Sequence, residues 1–354
     1  MNHAYLSVIA ASDAERRDLF LAAANRTGTT VQNIEKDFWV CWTLDALFNG
    51  LKPGGPRLLF KGGTSLSKAY GLIARFSEDI DVTVFREDIG QPASVAELEA
   101  LSNKQQKKRL SAIKHACQEF IAGPLCEELS KIATHAMKEA GRKPDELRIV
   151  PADDDPDSQS LLVVYPSAVE RSDYVRPAVK IESGAKSALD PHEFHTITPY
   201  LAADLAGRGD LSVANVMTVD PARTFLDKII ILHGLRHWFE QKGELRGGGQ
   251  RVSRHYYDVH RMMESPVGNK ALGDRLLAAD CVRHARMFFY RRELGLESAE
   301  PGSFSLNPGA GMIGELRHDY SAMSNMIFGE VPAFEDVLER IRSVERRLNA
   351  NETH

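Results

Sequence analysis

The feature that most constrains this chain is a glycine-rich turn followed closely by two aspartates. Residues 58–60 are apolar and predict a short buried strand, which Gly62-Gly63-Thr64-Ser65 ends while opening a helix. Residues 79–85 alternate polar and apolar side chains, the period of a second strand. Because side chains alternate across a strand, Asp79 and Asp81 share one face. The pattern predicts two carboxylates held side by side, close to a tight turn.

Each part of this segment suits the chemistry of phosphates. The pair Gly62-Gly63 allows a sharp turn and a close approach of the backbone, and the following helix offers N–H groups to anionic oxygens. The hydroxyls of Thr64 and Ser65 add donors, and Lys68 follows one helical turn later. Two adjacent carboxylates repel each other, and Mg²⁺ (or Mn²⁺) removes that cost while binding a substrate phosphate. The segment therefore predicts phosphoryl or nucleotidyl transfer from an NTP.

Taken together, the strand, glycine turn, helix and Asp-Ile-Asp strand resemble the signature of the nucleotidyltransferase superfamily, with its polymerase-beta-like fold. Further segments resemble the AbiEii/AbiGii toxin family, over about residues 30–349. These segments are Glu35–Val40, Arg75–Val82, Arg254–Asp258 and the tail between Asp319 and Glu335. The resemblance implies that the protein is a toxin of a toxin–antitoxin system or of a phage abortive-infection system. It also implies transfer of a nucleotide to an RNA 3′ end, expected to be that of tRNA, and a cognate antitoxin as partner.

The resemblance further implies a third acidic residue on a strand next to the Asp79 strand. In the predicted strand 178–182, Lys180 and Glu182 share one face, so Glu182 can serve as third carboxylate or base and Lys180 can neutralise triphosphate charge. An exposed ion pair of little energetic value is the alternative. Asp227 and Lys228, an acid–lysine pair that recurs in the family, compete for this role, and the choice stays open.

Ser77 lies two residues before Asp79, near any bound triphosphate. In related toxins a serine at the corresponding place is modified to silence the enzyme, so the resemblance implies a regulatory role for Ser77. The alternative is a hydroxyl that hydrogen-bonds within the loop.

Two other functions also stay open. One is the same chemistry with a protein or small-molecule acceptor, and the other is a non-catalytic NTP-binding or partner-binding module.

Strands mix with helices up to about residue 220, and helices alone follow. This order predicts an α+β fold with a nucleotidyltransferase-like mixed sheet and flanking helices in residues 1–220, then a mostly helical domain in residues 221–354. The predicted C-terminal helices span residues 223–239, 253–263, 270–294 and 334–349.

The charge of the chain is unevenly distributed. The whole sequence has 44 Lys+Arg against 49 Asp+Glu and a net charge of −5, whereas residues 223–292 contain 14 Lys+Arg and 7 Asp+Glu. This basic, aromatic-rich region predicts RNA-phosphate contacts. The alternative is that its arginines pair with carboxylates of the acidic N-terminal half. A shorter basic run, Lys104–Arg109, has a solvated helix face as its simpler interpretation.

Other patterns argue against competing classes of protein. The four cysteines are scattered without metal-binding spacing, and neither a P-loop nor a Rossmann glycine motif is present. His233 with His237, and His255 with Asp258, are interpreted as structural. No apolar run reaches the length of a membrane helix, so we expect a cytoplasmic protein without membrane contact.

Overall fold

The computed structural model describes residues 1–169, 176–205, 209–249 and 251–350. Seven strands lie within these ranges. They are β1 (Leu58–Lys61), β2 (Asp79–Val84), β3 (Arg148–Pro151), β4 (Ser160–Val164), β5 (Ala178–Gly184), β6 (His192–Ile197) and β7 (Val213–Val219).

Thirteen α-helices lie within the same ranges, together with short 3₁₀ and π turns. They are α1 (Ala4–Ile9), α2 (Asp13–Thr27), α3 (Val31–Asp45), α4 (Gly62–Lys68), α5 (Val95–Glu99), α6 (Asn103–Phe120), α7 (Cys126–Glu139), α8 (Pro221–Lys242), α9 (Ser253–Met262), α10 (Pro266–Gly273), α11 (Arg275–Phe288), α12 (Ala310–Met323) and α13 (Phe334–Asn349). In the part of the chain that is described, none of them combines the length and apolar character that a membrane span requires.

The chain divides into two compact units. Unit 1 comprises Met1–Ala69, Phe76–Ala93 and Asn103–Val219, and unit 2 comprises Tyr70–Arg75, Ser94–Ser102 and Asp220–His354. Two short segments from the first third of the sequence therefore belong with the C-terminal helices. The predicted boundary after residue 220, as a division between separately folding domains, stays a prediction.

All seven strands form one mixed sheet in unit 1, in the order β3-β4-β5-β2-β1-β7-β6. The β2–β5 and β1–β7 pairs are parallel and the other pairs are antiparallel. This architecture confirms the predicted α+β fold with a mixed sheet and flanking helices. The sequence pattern missed β3, β6 and β7. Two of these, β3 and β6, are edge strands with mostly exposed or half-buried residues, so their apolar pattern is weak.

Helix α3 forms the centre of unit 1. It begins where the Thr30 hydroxyl accepts a hydrogen bond from the Asn33 amide, and nearly all of its residues are buried. Trp39 stacks on Tyr165 with ring centroids 5.3 Å apart. A helix buried on every side must find partners for any charged residue that it carries, and α3 carries three in succession, at Glu35, Lys36 and Asp37.

One helix that was predicted for unit 2 is wrong, because the structure has two helices there. Residues 270–294 were expected to be a single helix, but α10 ends at Gly273 and α11 starts anew at Arg275. The Asp274 side chain accepts a hydrogen bond from the Leu277 amide at 2.9 Å, which is the geometry of a helix N-cap. An aspartate preceded by glycine therefore restarts the helix inside an otherwise helical pattern.

Candidate active site

Four of the predicted site residues are neighbours across two strands. In the parallel pairing of β2 with β5, Asp79 lies opposite Lys180 and Asp81 lies opposite Glu182. On the other side of β2, Asp81 lies opposite Lys61 of β1. Three carboxylates and two lysines therefore share one face of three adjacent strands. The alternation within each strand was readable in the sequence, and the family resemblance implied that the two strands are neighbours, but the register that sets Asp79 opposite Lys180 was not predicted.

Negative charge is crowded on this face. Burial, followed by the nearby carboxylates of Glu78 and Glu182, raises the pKa of Asp79 to about 6, although Lys36 acts in the opposite direction. Crowded carboxylates that resist ionisation are typical of sites that bind a cation or do acid–base chemistry.

Gly62 is required by Asp81. Its φ is +79°, and a Cβ added there would lie 2.1 Å from Asp81 Oδ2. The missing side chain thus leaves room for the carboxylate, in addition to permitting the turn. Lys61, which precedes it, has its Nζ 3.7 Å from Asp81 Oδ1. Gly63 lies in the first turn of α4.

The hydroxyls of the turn have local partners. The buried Thr64 hydroxyl donates to the carbonyl of Asp79, and its oxygen lies 2.7 Å from Ser77 Oγ. The Ser65 hydroxyl donates to the carbonyl of Gly62 at 2.9 Å. These bonds brace the segment that carries Asp79. A direct role of the three hydroxyls in binding phosphate stays a prediction.

Lys180 contacts two carboxylates. Its Nζ lies 3.1 Å from Asp154 Oδ1 and 3.6 Å from Glu182 Oε1. Asp154 belongs to the exposed loop between β3 and β4, and its side chain is 71% exposed. Because an ion pair with so exposed a carboxylate contributes little, a phosphate could replace Asp154 at Lys180 at modest cost.

Lys68 points away from these groups. Its Nζ lies 2.6 Å from Asp37 Oδ1 of α3 and 3.9 Å from the centre of the Tyr200 ring, and both charged side chains are buried. The lysine would have to leave this pair in order to bind a phosphate. Lys68 as a phosphate ligand therefore stays a prediction without a supporting contact.

The charged residues of α3, Glu35, Lys36 and Asp37, have no role that was predicted from the sequence. In the structure each one holds a different segment of unit 1. Lys36 pairs with Glu78 at 2.5 Å, Asp37 also accepts a hydrogen bond from the Tyr200 amide, and Glu35 accepts one from the Ala168 amide at 2.6 Å. The available signal was three consecutive charges at the start of an otherwise apolar helix.

Asp227 and Lys228 face different surroundings within unit 2. The Asp227 side chain is 48% exposed, with Arg223 Nε 3.7 Å away. Lys228 is buried, and its Nζ lies 2.7 Å from Asp258 Oδ2. Arg75 donates to both oxygens of Asp258, at 2.7 and 2.8 Å. Burial alone would raise the pKa of Asp258, but Arg75 and Lys228 hold it far below its ordinary value.

At least half of the cations in the basic region 223–292 are paired with carboxylates. At least seven of its fourteen cations have a carboxylate within 4 Å, and every such partner lies in unit 2. The pairs are Arg223–Asp280, Lys228–Asp258, Arg236–Glu240, Lys242–Glu293, Arg261–Glu264, Arg283–Glu99 and Arg286–Glu300. Three of these partners, Glu99, Glu293 and Glu300, lie outside residues 223–292, so the net charge counted along the sequence overstates the positive charge that an RNA would meet by these three pairings.

Helix α6 differs from that region. Lys104, Lys107 and Lys108 are exposed, and no carboxylate of the described residues lies within 4 Å of any of them. Further along the same helix, Lys114 pairs with Asp157 at 2.6 Å. Asp157 lies in the same β3–β4 loop as Asp154, which contacts Lys180.

The donor set of the sheet face suits a hard divalent cation. Within the described part of the chain, no three Asp, Glu, His or Cys side chains are already gathered as a metal-ligand cluster. Mg²⁺, however, binds through one or two carboxylates together with substrate phosphates rather than in a complete protein cage. Asp79 and Asp81, two carboxylates on one face of β2, match that requirement.

Comparisons with known proteins place the chain in a family. A search of curated protein sequences finds no match. Among solved structures, MenT4, a nucleotidyltransferase toxin from Mycobacterium tuberculosis H37Rv, is similar over 93% of this chain and 97% of its own, with 16% identity and a TM-score of 0.37. The family model of the nucleotidyl transferase AbiEii toxin of type IV toxin–antitoxin systems matches residues 45–340. Because this match covers most of the sequence, the chain belongs to the AbiEii family of nucleotidyltransferase toxins.

Proposed function

We propose that this protein transfers a nucleotide from an NTP to the 3′-hydroxyl of an RNA, with tRNA as the expected acceptor, and that it requires Mg²⁺ or Mn²⁺. The observation that carries the proposal is the strand register that sets Asp79 opposite Lys180 and Asp81 opposite Glu182. Carboxylates for a metal and a cation for a triphosphate are the groups that nucleotidyl transfer requires.

Each group has a proposed role. Asp79, Asp81 and Glu182 would hold the metal, which when bound would neutralise charge on the triphosphate. Lys180 would exchange Asp154 for a phosphate, and the turn Gly62–Ser65 would bind phosphate oxygens. Asp227 and Lys228 remain candidate nucleotide contacts from the family resemblance alone.

The transfer step follows from these roles. The RNA 3′-hydroxyl oxygen attacks the α-phosphorus of the NTP. The bond between that phosphorus and the oxygen that bridges to the β-phosphate breaks, and pyrophosphate leaves. The hydroxyl proton passes to Glu182 or to water. Glu182 is 44% exposed and in register with Asp81, so it is open to an incoming acceptor.

The support for an RNA acceptor comes from α6 more than from residues 223–292. The exposed lysines Lys104, Lys107 and Lys108 lie within about 6 Å of one another along the helix axis, at 1.5 Å per residue. Their helix is joined through Lys114 and Asp157 to the loop whose Asp154 contacts Lys180. RNA binding should therefore weaken with salt, and the Lys104→Glu/Lys107→Glu/Lys108→Glu variant should bind more weakly than wild type.

One labelling experiment tests the function and its alternatives. The full chain is incubated with each radiolabelled NTP, Mg²⁺ and one of three acceptors: total tRNA, total protein or an aminoglycoside. The control is Asp81→Ala. Label transferred to tRNA by wild type alone supports the proposal. Label on protein or on the aminoglycoside would show that the acceptor is not RNA. Metal-dependent NTP binding without pyrophosphate release would indicate a non-catalytic module.

The biological setting follows from the family. Membership in a type IV toxin–antitoxin family implies a cognate antitoxin, and we place the toxin in the cytoplasm, where NTPs and tRNA are found. A role in defence against phage is part of the same proposal. Co-expression with a small neighbouring gene product that restores growth would support it.

A further inference from the structure

The ion pair between Lys36 and Glu78 lies beside the proposed site but has no part in the chemistry described above. Lys36 is in the buried helix α3, with a side chain 5% exposed, and Glu78 is 13% exposed. Their atoms lie 2.5 Å apart. A buried ion pair often adds little net stability, because the cost of removing both charges from water offsets their attraction. The position of the Lys36–Glu78 pair next to Asp79 is therefore more informative than its contribution to stability.

The segment Ser77–Asp79 is held at each of its three residues. Thr64 of α4 contacts Ser77 Oγ and donates to the carbonyl of Asp79. Lys36 holds Glu78 from the side of α3. The backbone that presents the Asp79 carboxylate is therefore tethered between two helices, immediately before strand β2 begins.

Helix α3 also fixes the second of these helices. Asp37, the neighbour of Lys36, pairs with Lys68 in the last turn of α4. The same short stretch of α3 thus holds the Asp79 segment directly and braces the helix that carries Thr64. A small displacement of a group that binds a metal and a triphosphate is costly, because productive geometry is narrow.

We propose that Lys36 is a positioning residue that, by holding Glu78, fixes the Asp79 carboxylate beside Asp81 for binding of the metal and the triphosphate. This inference rests on the proposed function of Asp79 and Asp81. It assigns to Lys36 no contact with substrate, and it explains why a charged residue is retained inside an apolar helix.

Three variants of the full chain test the inference. They are Lys36→Met, Glu78→Gln and the double variant Lys36→Met/Glu78→Gln, with the exposed Lys52→Met as a matched control. Three measurements are made on each: Mn²⁺ affinity from the electron paramagnetic resonance signal of the free ion without substrates, the urea midpoint of unfolding, and steady-state kinetics that give kcat and KM for the NTP.

The double variant decides between a positioning role and a purely structural one. Each single variant removes one member of a buried ion pair and should unfold at lower urea, whereas the double variant should recover the wild-type midpoint. If Lys36 positions Asp79, the double variant still binds Mn²⁺ at least about tenfold more weakly and has a kcat lowered by about 10²-fold.

Recovery of Mn²⁺ affinity and kcat together with stability would overturn the inference. The failure of the proposed function looks different, because wild type itself would then neither bind Mn²⁺ nor transfer label. Lys52→Met should match wild type in all three measurements.

Discussion

Asp79 in unit 1 and Asp258 in unit 2 are both removed from bulk solvent, yet their surroundings have opposite effects. Asp258 is fully buried and contacts two cations, Arg75 and Lys228, which hold its pKa far below the ordinary value. Asp79 is partly buried among like charges, so its pKa is raised to about 6. A buried carboxylate that is paired with cations is held in its charged form and is costly to unpair, whereas one among like charges is suited to bind a cation.

The largest expected effect is on activity. Asp79→Ala or Asp81→Ala should lower nucleotide transfer by at least about 10³-fold, because several kcal/mol of charge stabilisation depend on these carboxylates. The measurement is label incorporation together with growth inhibition on expression. Full transfer by the double variant Asp79→Ala/Asp81→Ala would show that the site lies elsewhere.

The largest expected effect on stability is at the other aspartate. Asp258→Asn should lower the free energy of unfolding by about 3–5 kcal/mol, because Arg75 and Lys228 would be left buried without their counter-charge. Urea denaturation at neutral pH measures this. Asp227→Asn, at a half-exposed position of the same unit, is the control and should change stability by less than about 0.5 kcal/mol.

At Asp79, in contrast, removal of the charge should raise the free energy of unfolding. Its folded-state pKa is raised to about 6, so the native state gains from protonation below the ordinary pKa of aspartate, and that gain is lost as pH rises through 6. Asp79→Asn should therefore raise the free energy of unfolding at pH 8, by up to about 3 kcal/mol, and should change it little near pH 3. A destabilised Asp79→Asn protein at pH 8 would contradict the electrostatic comparison.

The smallest expected effect distinguishes a glycine beside the proposed site from a glycine in another turn. Gly62→Ala and Gly54→Ala both place a side chain at positive φ, but only the Cβ at position 62 meets Asp81, and nothing lies within 4 Å at position 54. Both variants should lose about 1 kcal/mol of stability. Only Gly62→Ala should lose transfer, by about 10-fold to 100-fold, because it displaces a proposed metal ligand. Equal transfer by the two variants would remove Asp81 from the site.

Much of the candidate site was predictable because strand periodicity is local. The alternation within residues 79–85 and 178–182 set Asp79 with Asp81 and Lys180 with Glu182 before any pairing was known. Local sequence also accounts for the start of α2, where Ser12 and Glu15 form a capping box. Edge strand β6 was missed, since its short polar sequence His192–Ile197 becomes a strand only by pairing with β7.

Burial of charge was not predictable in the same way. The sequence showed that Lys68 and Lys228 lie near motifs, but not which carboxylate each lysine contacts in the folded chain. Asp37 is 31 residues from Lys68, and Asp258 is 30 residues from Lys228. The basic region 223–292 shows the same limit, since its positive charge along the chain is met in space by carboxylates such as Glu99.

The sequence by itself determined the family, the mixed sheet with flanking helices, and the residues that share a face within each strand. These depend on short-range geometry and on motifs that are contiguous in the chain. The tertiary structure decided that Asp81 meets Glu182 across β2 and β5, that Gly62 makes room for Asp81, and that Lys36 holds Glu78. Electrostatic interactions act through space and fall off with distance, so only the folded chain determines which charges are paired and which remain for a ligand.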